Sequence, residues 1–379
     1  MKIRFIIALL ILANATMAQT NRPVQFIFSS DAHFGITRNF RGDSVATGEK
    51  VNIAMVDQMN TIPGLTIPKD GGLKQGQRVG YIDYIVETGD IANREETPIQ
   101  SAAASWQQFN KVYLSGIKLR GSDGSKAKFL LVPGNHDISN AVGFYKPMRP
   151  LTDASSIAGI YNLMMHPKTP LTPNAYNYTK NKVNYSRNIK GIHFMFITLW
   201  PDSAERIWME KDLATVSKTT PVIIFTHDQP ESEAKHFTNP VPPFDINATA
   251  KFENLVAEHY KEGINAKSDD ASTAIEQRGW VKFLKAHPNI KAYFHGNSNW
   301  NQFYTYHGPD NDVTLNVFRV DSPMKGKYSA KDETKQSFQL VLLNPATKEM
   351  TVRECLWNTN PTKPDEPIVF GSSKTVSLK

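Results

Sequence analysis

Five short clusters in this chain carry residues able to bind a metal or move a proton. They are Asp31-Ala32-His33, Gly89-Asp90, Gly134-Asn135-His136-Asp137, His227-Asp228 and Gly296-Asn297-Ser298-Asn299. Carboxylates, imidazoles and amide oxygens suit divalent first-row metals, and a carboxylate can bridge two of them. Two ions about 3.5–4 Å apart can clamp a phosphoryl group, activate water and stabilise a leaving oxygen. An imidazole such as that of His136 is also the side chain whose proton moves most readily near neutral pH. Singly, each cluster is weak: an Asp-x-His pair is most often a cap or surface loop, and Gly-Asp is a common turn dipeptide. The weight comes from finding all five in one chain, each closing an apolar run.

Those runs are the elements that must position the clusters. Residues 24–29, 81–87, 128–132, 221–226 and 290–295 are mostly apolar stretches of strand length, and each ends in a polar turn. In the third, Pro133-Gly134 stops the strand and opens the turn that carries Asn135, His136 and Asp137. Helical spacing marks 51–59, 99–119, 204–216 and 271–286, so strands and helices alternate from the start. That pattern predicts an α/β fold with a largely buried sheet and its active site at the carboxyl ends of the strands. A hairpin is expected over 182–188 and 192–199, with His193 a packed or rim histidine. Strands are expected over 312–320 and 337–355, with a turn at 344–348. Residues 140–181 and 229–270 read as long insertions, and 359–379 as a polar, loosely held tail. The whole of 19–358 reads as one domain.

The chain has 379 residues and a formal charge of +7. The basic residues are spread rather than striped, which excludes the footprint of a nucleic-acid binder. Residues 1–18 have a positive start, an apolar centre at 5–12 and small residues at 16–18, the build of a secretory signal peptide. That run is too short to span a bilayer, and no later one is long enough. A secreted or periplasmic protein is therefore expected. The one cysteine, Cys355, precludes an internal disulfide and reads as buried packing. Asn177-Tyr-Thr, Asn184-Tyr-Ser and Asn247-Ala-Thr match the glycosylation pattern and hint at surface loops. A Gly-x-Ser-x-Gly elbow and a phosphate-cradling P-loop are both absent.

In order and rough spacing the clusters resemble the calcineurin-like metallophosphoesterases, whose signature runs D-x-H, G-D-x-x-D/N, G-N-H-D/E, a lone His after a strand, and G-H-x-H. Here the first four read Asp31-Ala-His33, Gly89-Asp-Ile-Ala-Asn93, Gly134-Asn-His-Asp137 and His227. The resemblance implies a four-layer α/β fold, two packed mixed β-sheets flanked by helices. It implies two divalent ions (Mn, Fe, Zn or Mg) and a small phosphoester substrate. Asp31 and His33 would hold the first ion, Asp90 would bridge, and Asn135 and His227 would hold the second. His136 would contact the phosphate and protonate the leaving oxygen, with Asp137 orienting it. Asn93 and Asp228 would be supporting or turn-forming groups.

The fifth motif departs from the family. Gly296-Asn297-Ser298-Asn299 places amides where G-H-x-H has its two imidazoles, one for each metal. Amide oxygen is a neutral, harder and weaker donor, which favours Mg²⁺, Mn²⁺ or Ca²⁺ over Zn²⁺. His295, one residue earlier, points by strand alternation away from the turn and reads as packed. Three readings stay open: an active hydrolase using Asn297 and Asn299 as ligands, a silent relative that binds a phosphorylated or envelope ligand, and a site altered to trap substrate. In the second, aromatic residues such as Tyr161, Tyr176, Tyr178, Phe237, Phe244, Trp300 and Tyr304 would line the cleft.

Overall fold

The computed structural model describes residues 22–92, 100–138, 154–177, 180–231 and 271–379. The expected signal peptide, Asn93, Tyr178, and most of the 229–270 insertion with Phe237, Phe244 and Asn247 lie outside the described residues.

Among the described residues fourteen strands follow in chain order: β1 (Val24–Ser29), β2 (Thr37–Phe40), β3 (Asp43–Thr47), β4 (Tyr84–Glu87), β5 (Lys128–Leu131), β6 (Tyr185–Ile189), β7 (Ile192–Phe196), β8 (Val222–Phe225), β9 (Ile290–His295), β10 (Gln302–Tyr306), β11 (Leu315–Arg319), β12 (Ser337–Asn344), β13 (Glu349–Leu356) and β14 (Val369–Ser377). They form two six-stranded sheets, ordered β14-β13-β12-β1-β4-β5 and β10-β11-β9-β8-β7-β6, and a small β2-β3 hairpin. Both large sheets are mixed. β1, β4 and β5 run parallel while β12 pairs antiparallel to β1. In the second sheet β7, β8, β9 and β11 run parallel, with β6 and β10 antiparallel at the edges.

The two sheets meet through aromatic rings. Successive strand residues point to opposite faces, so Phe26 and Phe28 of β1 share the inner face. Phe26 lies 5.8 Å from Phe194 and from Phe225, edge to face, and Phe28 lies 5.2 Å from Phe294. All five rings are fully buried, and such edge-to-face pairs add roughly 0.5–1.5 kcal/mol beyond their buried area. This contact fixes how the carboxyl ends of the two sheets face each other.

Helices cover the outer faces, giving the four layers that the resemblance implied. Over the first sheet lie α1 (Gly48–Thr61) and α2 (Ala102–Phe109), the latter running into a π-helical stretch at Asn110–Ser115. Thr47 and Ser101 cap α1 and α2, their hydroxyls accepting from the N–H groups of Lys50 and Ala104. Both helices grip the first site loop. Asn52 of α1 donates to Ala32 O at 2.8 Å, and Ser105 of α2 donates to Phe34 O at 2.9 Å. Next come α3 (Ser155–Met165), α4 (Ser203–Leu213) and α5 (Ala271–Ala286). Trp280 of α5 packs on Tyr293 of β9.

Several expectations are corrected. The 140–181 insertion is partly helical: α3 lies within it, and Met164 Sδ accepts from Leu131 N at 3.2 Å. The supposedly loose tail contains β14, which pairs antiparallel along β13. Its side chains are mostly exposed, so the strand gives no hydrophobic signal and is held by backbone hydrogen bonds at a sheet edge. The β2-β3 hairpin was missed: it turns on Arg41 and Gly42, both with positive φ, which suits a two-residue hairpin loop. Asn184 is no surface sequon, because it is buried and its Oδ1 accepts from Thr198 N. His193 and His295 are packed histidines, bonded to Asn188 and Asp212, and to Gly296 O and Tyr304. Cys355 is a free, buried thiol.

Candidate metal centre

The residues singled out in the sequence sit at the carboxyl ends of β1, β4, β5, β8 and β9. Asp31, His33, Asp90, Asn297 and Asn299 all have positive φ, between 43° and 64°. Left-handed backbone is uncommon for non-glycine residues and costs on the order of 1–3 kcal/mol each, so packing must enforce it. Its effect is to end the strand sharply. Asp31 N bonds to Gly89 O and His33 N to Asp90 O, which laces the first loop to the second. The third and fifth loops come in equally close. A Cβ on Gly134 would lie 2.2 Å from Asp90 Oδ1, and one on Gly296 would lie 2.2 Å from Asp31 Oδ2. Glycine is required there by contact, whatever its own backbone angle.

Asp90 is the hub. Its Oδ1 accepts from His136 N at 2.9 Å and lies 3.4 Å from His227 Nε2. Its Oδ2 lies 3.6 Å from His33 Nε2 and 3.9 Å from His136 Nε2. Two buried triads share it, His33-Asp90-His136 and Asp31-Asp90-His227, with donor atoms within 4.8 Å of one another in each. His227 is locked in orientation: Nδ1 bonds to Thr88 O at 2.7 Å, leaving Nε2 facing Asn135 Oδ1 at 3.2 Å and Asp90. That bond favours Nε2 as the ligating atom.

Burial alone would raise the Asp90 carboxyl, but the imidazoles of His227, His136 and His33 outweigh it and hold Asp90 well below the usual carboxylate range. Burial would likewise lower His227, yet Asp90 and Asp31 push it well above an ordinary histidine. His136 is driven well below its ordinary value, first by burial and then by Lys325, and His33 is lowered by the same two causes. The carboxyl of Glu87, which accepts from the Ser29 hydroxyl on the neighbouring strand, is pushed well above the usual carboxylate range by burial.

A metal fits this donor set. Asp31 Oδ1, both ring nitrogens of His33 and Asn299 Oδ1 are buried without a hydrogen-bond partner among the described residues. Orphaned buried polar atoms are costly unless something satisfies them. Carboxylate, imidazole and amide oxygen converging on such a spot are what a hard or borderline divalent ion requires.

Three candidate residues stand differently from expectation. Asp137 does orient a loop, but its oxygens are occupied by backbone. Oδ2 accepts from Ile91 N and Gly134 N, and Oδ1 from Ala92 N and the Ser156 hydroxyl. It ties the second loop to the third, so any effect on His136 passes through the chain. Asn297 N donates to Asp31 Oδ2 at 2.9 Å, while its side-chain amide donates to Gln229 Oε1 and that of Asn299 to Asn297 O. The fifth loop thus reaches the centre, partly by backbone.

Sequence reasoning missed Gln229, Ser322 and Lys325. Ser322 donates to Asp31 O at 2.8 Å, and Lys325 Nζ sits 3.4 Å from His136 Nε2. Ser322 and Lys325 follow β11, in a segment with no motif-like spacing, so nothing local signalled them. Of the aromatic residues expected in a cleft, Tyr176 is buried against Tyr161, and Trp300 lies flat beneath the Arg319 guanidinium at 3.8 Å.

Comparisons with known proteins bear on the fold and the family. A dimetal phosphatase from Danio rerio has a similar structure, with TM-score 0.50 and 9% identity, the alignment covering 94% of this chain and 99% of that one. A weaker likeness, TM-score 0.34 at 10% identity, joins 94% of this chain to 91% of the calcineurin-like phosphoesterase YfkN from Bacillus subtilis. At these identities the likeness speaks to fold alone. No curated protein matches the chain in sequence. The family model for calcineurin-like phosphoesterases matches residues 26–321, from β1 to just past β11 and through all five loops. This chain belongs to the calcineurin-like phosphoesterase family.

Proposed function

We propose that the protein is an exported, metal-dependent hydrolase of a small phosphomonoester or phosphodiester. The observation that carries this reading is the shared carboxylate of Asp90, surrounded by His33, His136 and His227 in a buried pocket at the strand ends. Asp31, His33 and Asp90 would hold one divalent ion, and Asp90, Asn135 and His227 a second. Asn297 and Asn299 are the remaining donors, one for each ion. When bound, such ions polarise the phosphoryl oxygens and supply a water nucleophile at neutral pH.

The chain's own groups do the rest. His136 lies between the Asp90 carboxylate and Lys325, where it would contact the phosphoryl group and pass a proton to the leaving oxygen. Asp137 keeps the 90–92 and 134–138 turns in register, so that His136 and Asp90 hold their separation. The Thr88 carbonyl keeps His227 Nε2 turned inward. Residues 1–18 would direct the chain to the periplasm or outside the cell, and 19–358 would act as one catalytic domain.

The test is release of p-nitrophenol from the mono- and bis-ester by the mature protein with Mn²⁺, Zn²⁺ or Mg²⁺. Equal rates in wild type and His136→Ala would sink the catalytic reading. One observation favours a silent binder instead: the Asn297 and Asn299 amides are engaged within their own loop and with Gln229. Less than one tightly held metal per purified molecule would support that alternative.

A further inference from the structure

We infer that Lys325 is a phosphoryl-binding residue of this site, a fixed positive charge that contacts the substrate's anionic oxygens beside His136. The inference deepens the reading above and rests on it only in locating the anion.

Three observations place the ammonium. Lys325 Nζ lies 3.4 Å from His136 Nε2, the ring edge that also faces Asp90 Oδ2 at 3.9 Å. The His136 ring in turn stands edge-on to the His33 ring, centroids 5.2 Å apart, so the ammonium lies beside the first ligand set. Its backbone is clipped to that set: Ser322 Oγ donates to Asp31 O at 2.8 Å and accepts from Met324 N and Lys325 N at 3.1 and 2.9 Å. The turn carrying Lys325 therefore moves with Asp31. The residue lies beyond the stretch that the family model matches, 26–321, and is not part of the family's motif set.

The chemistry follows from sign. Lysine offers three N–H donors, no acceptor and a compact charge. A lysine held beside carboxylates and imidazoles that gather cations opposes those cations, since like charges repel. The arrangement becomes favourable when an anion with several oxygens lies between ammonium and metal, and a phosphoryl group is such an anion.

The experiment uses the full mature protein loaded with Mn²⁺ and inorganic phosphate as the probe. Calorimetric phosphate affinity, metal content and melting curve are compared for wild type, Lys325→Met and Lys325→Arg. Lys325→Met should bind phosphate at least about tenfold more weakly, as for loss of a hydrogen bond between charged groups, with Mn²⁺ content unchanged and Lys325→Arg recovering most of the affinity. Equal affinity in wild type and Lys325→Met, loss of metal in Lys325→Met, or no phosphate binding by wild type overturns the inference. Because binding is read without turnover, a protein that binds phosphate through Lys325 yet hydrolyses no ester would refute the hydrolase reading and leave this one standing. Ester hydrolysis with phosphate affinity indifferent to Lys325 would do the reverse.

Discussion

The two walls of the site are built differently. The wall from the first sheet supplies Asp31, His33, Asp90, Asn135 and His136, with two carboxylates, two imidazoles and backbone lacing between loops. The wall from the second sheet supplies His227 and the paired amides of Asn297 and Asn299. One wall thus carries nearly all the charge and the other mostly neutral donors. Their backbones are alike, since residues on both sides take left-handed angles that aim them inward. The fold has kept the geometry of both walls while the chemistry of one has softened. On the proposed reading, metal affinity would rest on the first wall and on His227, and the amides would set which ion is preferred.

The largest effect should come from breaking the charged wall. Asp90→Asn removes the carboxylate that both triads share, and ester hydrolysis should fall to background with loss of tightly bound metal, read by elemental analysis of the purified variant. Retention of both metals would mean that the walls share the burden more evenly than the charges imply. Next, His136→Ala should cost about 10²–10⁴ in kcat, the usual worth of a general acid, while metal content stays at the wild-type level.

Restoring the weak wall sharpens the contrast from the other side. Asn297→His/Asn299→His should tighten Zn²⁺ retention by about tenfold or more, because imidazole is the better donor for that ion. Competition with a chelator reads this directly, and no change would show that the fifth loop does not touch the metals. A control away from both walls is Asp70. Its carboxylate pairs with the fully buried Arg353 at 2.7 and 2.8 Å. Asp70→Asn leaves that guanidinium uncompensated and should cost about 3 kcal/mol of stability, with kcat unchanged at neutral pH. The Arg353 hydrogen bonds lower the Asp70 pKa from 3.8 to about 2. The pair's contribution is therefore complete above 3.8 and is lost as pH falls through about 2, so acid unfolding of the variant should lack that component.

Particular residues mark what was legible and what was not. β1 and β9 fall where apolar runs put them, because burial on both faces leaves a continuous local signal, and α5 falls where helical spacing puts it. β14 and the β2-β3 hairpin left none, since few of their side chains are buried and backbone pairing with the neighbouring strand holds them. Asp137 was recognised as part of the site, but its four hydrogen bonds, three to backbone and one to Ser156, could not be read from its neighbours.

By itself the sequence determined the strand ends, the polar turns and the departure from G-H-x-H, because each is written in adjacent residues. Only the tertiary structure decided that Lys325 stands against His136, 189 positions away, and that Ser322 clips its turn to Asp31. A single long-range contact of that kind carries no periodicity and no motif. It exists because two sheets, packed through Phe26, Phe28, Phe225 and Phe294, bring the ends of remote strands to one place.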